Sequence, residues 1–200
     1  MPRSVLIIVC FIFLFCSCGG KQVVEIDSHP AQTVEVAKVP SHISQTEEFK
    51  SIQELAQRNV VSAEEAIRIS NRMLQEEIVS VLDEQTLNNL EKILLAALPQ
   101  SGKEAQSVIQ RNMGIVNFYN KNYHKARQAL QYSNETNPRD PRTHYYLARL
   151  FDHQARIYES KGDAIRAQRH QKRAQIEIDT ARKLEPGNPL YRQKLPSLGD

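Results

Sequence analysis

The 200-residue chain has no Trp, only 7 Gly and 3 Cys, and is just 6% aromatic. So few aromatics and glycines argue against a β-sandwich or barrel, which draws on both. The three Cys all fall within Cys10–Cys18, so no disulfide framework staples the rest of the chain. The apolar run Val5–Phe15 is 11 residues long, and a spanning helix needs about 20. His29, His42, His124, His144, His153 and His170 show no metal-ligand spacing such as HxxxH. No glycine loop of the phosphate-cradling kind appears, and no nucleophile stands in a recognisable catalytic pattern. The sequence therefore implies no enzyme, no cofactor, no metal and no small-molecule substrate. A net charge of +3 by itself names no partner. What remains is rich in Ala, Gln, Leu, Lys, Arg and Glu, the residues of helices.

Residues 1–18 read as an address. Arg3 gives a thin positive start, Val5–Phe15 an unbroken apolar core, and Phe15-Cys16-Ser17-Cys18 an end. A core helix would carry polar positions every third or fourth residue, and this run has none. It fits the apolar region of a secretory signal peptide. The end resembles a bacterial lipobox, in which the Cys after a small residue receives a diacylglyceryl thioether and becomes N-terminal. The resemblance implies lipidation at Cys18, with Ser17 as the small residue. Cys16 follows the bulky Phe15 and is the poorer acceptor. Two or three acyl chains would anchor stably, at about 0.8 kcal/mol per buried CH₂. Gly19 is not the Asp that retains such lipoproteins at the inner membrane, which favours the periplasmic face of the outer membrane.

Residues 19–45 read as a flexible linker. Pro30, Pro40 and scattered Val show no helical period, although Gln22–Ile26 and Thr33–Val39 alternate enough to pair as strands. As a coil, 27 residues reach about 29 Å.

Residues 46–99 form an N-terminal helical region. Thr46 caps a helix to about Gln57, and Ser62-Ala63-Glu64-Glu65 is a capping box opening one helix over Ala63–Leu82. Asp83 caps another, stopped by Pro99. Ser101-Gly102-Lys103-Glu104 reads as a second capping box, starting a helix to Asn120. Charge divides along the chain. Lys21–Pro99 holds 7 basic and 13 acidic residues, against 16 and 8 over Gln100–Lys183. The basic half is either a set of solvated helix faces or a binding surface. It could hold nucleic acid electrostatically, but an exported lipoprotein meets little, so no nucleic-acid partner is expected.

Residues 100–187 carry internal repetition. Met113-Gly114, Tyr123, Ala126, Leu130, Ser133 and Pro138 resemble one tetratricopeptide repeat, in which small residues let two antiparallel helices approach closely. A step of 34 residues from Met113-Gly114 lands on Leu147-Ala148, again large then small. Ala174, Ile178, Ala181 and Pro186 keep the family's later spacing. Pro186 lies 48 residues after Pro138, so the second unit carries 14 extra residues, about two turns per helix. Lys161-Gly162-Asp163 becomes its hairpin tip, between helices Arg142–Ser160 and Asp163–Leu184. The expected fold is all-α: two recognisable αα-hairpin repeats, the second extended, packed on N-terminal helices, with residues 188–200 as a tail.

In this family the first helix of each pair lines a concave groove. The resemblance places Val108, Arg111, Ile115, Phe118, Tyr119, Arg142, Tyr145, Arg149 and Asp152 there. Independently, Arg142, Arg149 and Arg156 stand seven apart, one stripe on one helix face. Such arginines grip carboxylates and stack on rings, though solvated arginines make the same stripe. The family's carboxylate-clamp pattern is not met, because Ile115 stands where it wants Asn. A second surface is the basic face Ile165, Arg169, Lys172, Arg173 and Ile176, suited to an acidic partner or lipid headgroups unless the tail covers it through Leu190, Tyr191 and Leu195. The leading expectation is a membrane-anchored, non-catalytic adapter that binds a protein partner in a bacterial envelope assembly. It is similar in plan to pilotins and outer-membrane assembly lipoproteins. The other is a structural protein that engages lipid or cell wall through the basic face.

Overall fold

A computed structural model describes residues 47–195. The expected signal peptide, acceptor Cys18, linker and Thr46 cap lie outside the described residues. Every element within them is helical: α1 (Glu47–Leu55), α2 (Ala63–Met73), α3 (Glu76–Val79), α4 (Glu84–Ala97), α5 (Lys103–Tyr119), α6 (Tyr123–Thr136), α7 (Pro141–Ser160), α8 (Ala164–Leu184) and α9 (Pro189–Arg192). The chain is all-α over this span.

The starts of these helices follow from short polar side chains that accept the free backbone N–H groups of a first turn. Ser62 accepts from Glu65 N, Asp83 from Thr86 N, Asn122 from Lys125 N and Asp163 from Arg166 N. The box read at Ser101 does not form. Gly102 is the cap residue of α5 without a side-chain bond, and Ser101 Oγ instead donates to Ala97 O at 2.6 Å. That hydroxyl closes a carbonyl left open by the short 3₁₀ turn Leu98–Gln100 around Pro99. Between α7 and α8, Gly162 takes φ +73° at the expected tip, a conformation costly for any residue with a Cβ.

The helix expected over Ala63–Leu82 is broken. Gln75 is extended at φ −66°, ψ 144°, so α2 ends and α3 starts in a new direction. Leu74 and Val79 are both buried across this bend. Their burial, together with the contacts of Glu76 described below, outweighs the propensity that favoured one continuous helix.

Consecutive helices pack in pairs. α5 lies on α6 and α7 on α8; α2 and α4 both pack on α5, and α6 packs on α7. The core runs unbroken from Ile52 and Leu55 of α1 through Leu90 and Leu94 to Ile115, Leu147 and Ile178. Small residues set the closest approaches. A Cβ added to Gly114 would stand 2.5 Å from Leu130 Cγ and 3.2 Å from Ala126 O. Ala167, Ala174 and Ala181, with Ile178, form the buried seam of α8.

Candidate functional site

Four of the nine residues expected to line an open groove are interior, and the other five are partly exposed. Ile115, Phe118 and Tyr145 are buried to 1% exposure or less, and Arg149 is 6% exposed. The face that α5 and α7 were expected to present is covered by α2 and α3 at one edge and by the C-terminal tail at the other. This corrects the assignment of these four as partner-contacting residues.

Arg149 lies in a closed polar cluster. Its Nη1 donates to Glu76 Oε1 at 2.7 Å and to Tyr119 Oη at 3.1 Å. Tyr119 Oη donates to Glu76 Oε1 at 2.9 Å, and Tyr146 Oη to Glu76 Oε2 at 2.7 Å. The guanidinium carbon also stands 4.6 Å from the Phe118 ring centre and 5.7 Å from that of Tyr145. Burial opposes the arginine's charge, but Tyr119 and Glu76 more than offset it and hold its pKa above the ordinary range. The bend at Gln75 exists where it brings Glu76 to this cation. An uncompensated buried charge would cost several kcal/mol.

Arg111 is consumed in the same way. Its Nη1 donates to Asp140 Oδ2 at 3.1 Å, its Nη2 to Asn71 Oδ1 at 2.7 Å and its Nε to Asn112 Oδ1 at 3.0 Å. Burial lowers its pKa, partly countered by Asp140. Asp140 also accepts from Thr143 Oγ1 at 2.9 Å and caps α7 through Arg142 N. With the Ser133 and Thr143 hydroxyls 3.0 Å apart, this network ties α2, α5, α6 and α7 together and leaves the arginine no free donor fork. Tyr119 is half-buried with its hydroxyl on Glu76. Arg142 stays partly exposed at the rim.

The tail folds back, as one expectation had it, but onto another surface. Tyr191 is buried with its ring centre 5.4 Å from that of Tyr145. Arg182 Nε donates to Tyr191 O at 2.6 Å. Burial pushes the Tyr191 hydroxyl up to about 12. Ile165 and Ile176 stay uncovered, at 76% and 56% exposure. Of the basic face, Arg169, Lys172 and Arg173 are also exposed. Arg173 lies 5.7 Å from the Phe151 ring centre.

An open cleft does exist beside the tail. Asp152 and Arg156 of α7, Gln171, Ala174, Gln175, Ile178 and Arg182 of α8, and Lys194 and Leu195 surround about 330 Å³. Its floor is apolar (Ala174, Ile178, Leu195) and its rims are charged. Arg156 pairs with Asp152 at 2.9 Å and Arg182 with Asp179 at 3.1 Å. Asp152, placed in the groove by register, and Arg156, of the arginine stripe, are the sequence-predicted residues that reach it. Leu195, which the sequence marks as a residue of a tail that folds back, supplies part of its floor, whereas nothing in the sequence signals Lys194 at its rim.

No protein family model, no curated protein and no solved structure matches this chain. Its chemistry is therefore read from its own side chains. Among the described residues no group of three His, Cys, Asp or Glu converges as metal ligands, and no helix is long and apolar enough to cross a membrane. Among the described residues the surface offers an apolar-floored cleft whose rims carry Arg156, Arg182 and Lys194 beside Asp152, and next to it a basic helix face with two bare isoleucines.

Proposed function

We propose that the chain is a non-catalytic adapter, held at a bacterial envelope membrane through lipidated Cys18, whose stacked helices form tetratricopeptide-like units. The contact of Gly114 with Leu130 and Ala126, and the pairing of α5 with α6 and α7 with α8, support the repeat reading. The pairing of α2 and α4 on α5 supports a further, degenerate unit at the N-terminal end. The lipid anchor rests on Ser17-Cys18 and the apolar run before it.

One observation carries the adapter reading: the cleft between α7, α8 and the tail has an apolar floor between Arg156, Arg182 and Lys194. An extended or helical segment with an apolar side and acidic neighbours fits such a site. Apolar burial gives affinity, and cationic rims give orientation and on-rate. The partner is therefore a protein segment, docked on the outer side of the last hairpin and not in the filled interior groove. Crosslinking in intact cells followed by mass spectrometry tests this. A discrete, stoichiometric protein adduct that weakens in an Arg156→Glu, Lys194→Glu chain is the expected result. Adducts of lipid or cell wall alone contradict it.

A further inference from the structure

The outer side of α8 carries a second surface, which borders the cleft along Gln171 and Gln175. Ile165, Arg169, Lys172, Ile176 and Lys183 follow one another at intervals of three, four or seven residues, so they share one stripe of the helix. The isoleucines are 11 residues apart, about 16 Å along the axis. They are 76% and 56% exposed, and Arg169 and Lys172 between them are exposed and form no ion pair among the described residues. Arg166 and Arg173 flank the stripe. Asp179 is the single acidic residue on it, and it is already engaged by Gln175 and Arg182. Among the described residues, Ile165, Gln168, Arg169, Gln171, Lys172 and Gln175 make a broad, open surface on a single helix.

We infer that this stripe docks the folded part on an anionic lipid surface. A shallow single-helix face lacks the concave complementarity that a specific protein interface needs. A bilayer demands none: cations meet headgroup phosphates, and the isoleucine side chains enter the boundary below them. The arrangement of two apolar pins about three turns apart, with unpaired cations between, matches that requirement. Length also favours the surface. On the reading of Cys18 as an anchor and of residues 19–45 as a linker, 28 residues separate Cys18 from Glu47, and a tether of that length gives an effective concentration on the order of millimolar. A weak face suffices at that concentration. The cleft wall formed by Gln171, Gln175 and Arg182 lies roughly a quarter to a third of a turn around α8 from the stripe, so a docked module presents its cleft beside the membrane. This inference concerns the stripe itself and stands whether or not the cleft binds a protein.

The chain has no Trp, so one introduced Trp reports its own surroundings. Ile165→Trp and Ile176→Trp are placed separately in the full chain, with Val60→Trp as control, since Val60 is 62% exposed in the α1–α2 connection. The probes are vesicles of equal parts phosphatidylglycerol and brominated phosphatidylcholine, and vesicles of brominated phosphatidylcholine alone. Co-sedimentation reports the anchor, and Trp quenching reports the face, so the two readings fail separately. Quenching at both α8 positions on the anionic vesicles, but not at Val60→Trp, is expected, and salt should weaken it. Adding Arg169→Glu and Lys172→Glu should lower the docked-to-free ratio about 25-fold or more, at about fivefold per cation. The same charge change at Lys50 and Lys103 should leave it unaltered. If the α8 reporters are quenched no more than Val60→Trp, or equally on both vesicle types, the stripe is not a lipid-docking face.

Discussion

Arg149 Nη1 on α7 and Glu76 Oε1 on α3 stand 2.7 Å apart although 73 residues separate them in the chain. The pair closes the face that repeat register alone would leave open. It also makes Arg149 a stability residue. An Arg149→Ala chain should lose about 3 kcal/mol, because Glu76 and the Tyr119 hydroxyl are left without their cation. Glu76→Gln, which keeps the side chain's shape and one acceptor oxygen but not its charge, should lose less. Urea unfolding of the three chains checks the order, and a near-zero loss for Arg149→Ala would mean the cation is solvated.

Gly114 gives the second prediction. A methyl group there meets Leu130 Cγ, near the root of that side chain, and the Ala126 carbonyl. Neither neighbour can swing away cheaply. Gly114→Ala should therefore destabilise by about 1–3 kcal/mol, although Ala is the better helix former. Equilibrium unfolding read by circular dichroism measures it, and a gain in stability would show that α5 and α6 are not in close contact.

Charge at His144 gives a pH dependence. Its Nδ1 meets Glu177 Oε2 at 2.6 Å and its Nε2 meets Pro138 O at 2.9 Å. Both partners accept, so only the imidazolium satisfies both, and the folded pKa is raised above 6.5, chiefly by the Glu177 bond. The stabilisation is complete below about 6.5, the unfolded value, and is lost as pH rises through the folded pKa. His153 and His170 are lowered, mainly by burial, and oppose this trend below 6.5. The difference in unfolding free energy between the parent and Glu177→Gln isolates His144. It should be largest in acid and shrink towards alkaline pH; a difference growing with pH would reverse the assignment.

The tail makes a fourth. Tyr191→Ala removes a buried ring from Tyr145 and should cost about 3 kcal/mol. It should also raise hydrogen exchange in α9 and at the Arg142 end of α7. Unchanged exchange there would show that the tail does not cover that face.

The elements legible in the sequence are those whose signals are local. The caps at Ser62, Asp83 and Asp163, the tip at Gly162 and the small-residue seam of α8 each announce themselves within a few residues. Gly114 and Ala126 were legible through spacing, because helix contact demands small residues at fixed intervals. The bend at Gln75 was not, since no local residue forbids a helix there. It exists because Glu76 serves Arg149, Tyr119 and Tyr146, all far along the chain. The same long-range contact explains why the groove residues were misplaced: an arginine stripe looks alike whether water or a carboxylate faces its middle member. Arg142 and Arg156 keep their exposure while Arg149, between them, does not. The apolar residues Leu190, Tyr191 and Leu195 signal a tail that packs back, but periodicity cannot say where: Tyr191 packs on Tyr145, and Ile165 and Ile176 stay bare.

Photo-crosslinking with a single benzoylphenylalanine decides most directly between cleft and groove. Gln175, in the wall of the cleft, and Arg142, at the rim of the expected groove, are each replaced in the full chain and irradiated in cells. The account predicts a discrete protein adduct from position 175 and none from position 142. An adduct from position 142 alone would contradict it and return binding to the face that Arg149 and Tyr191 close.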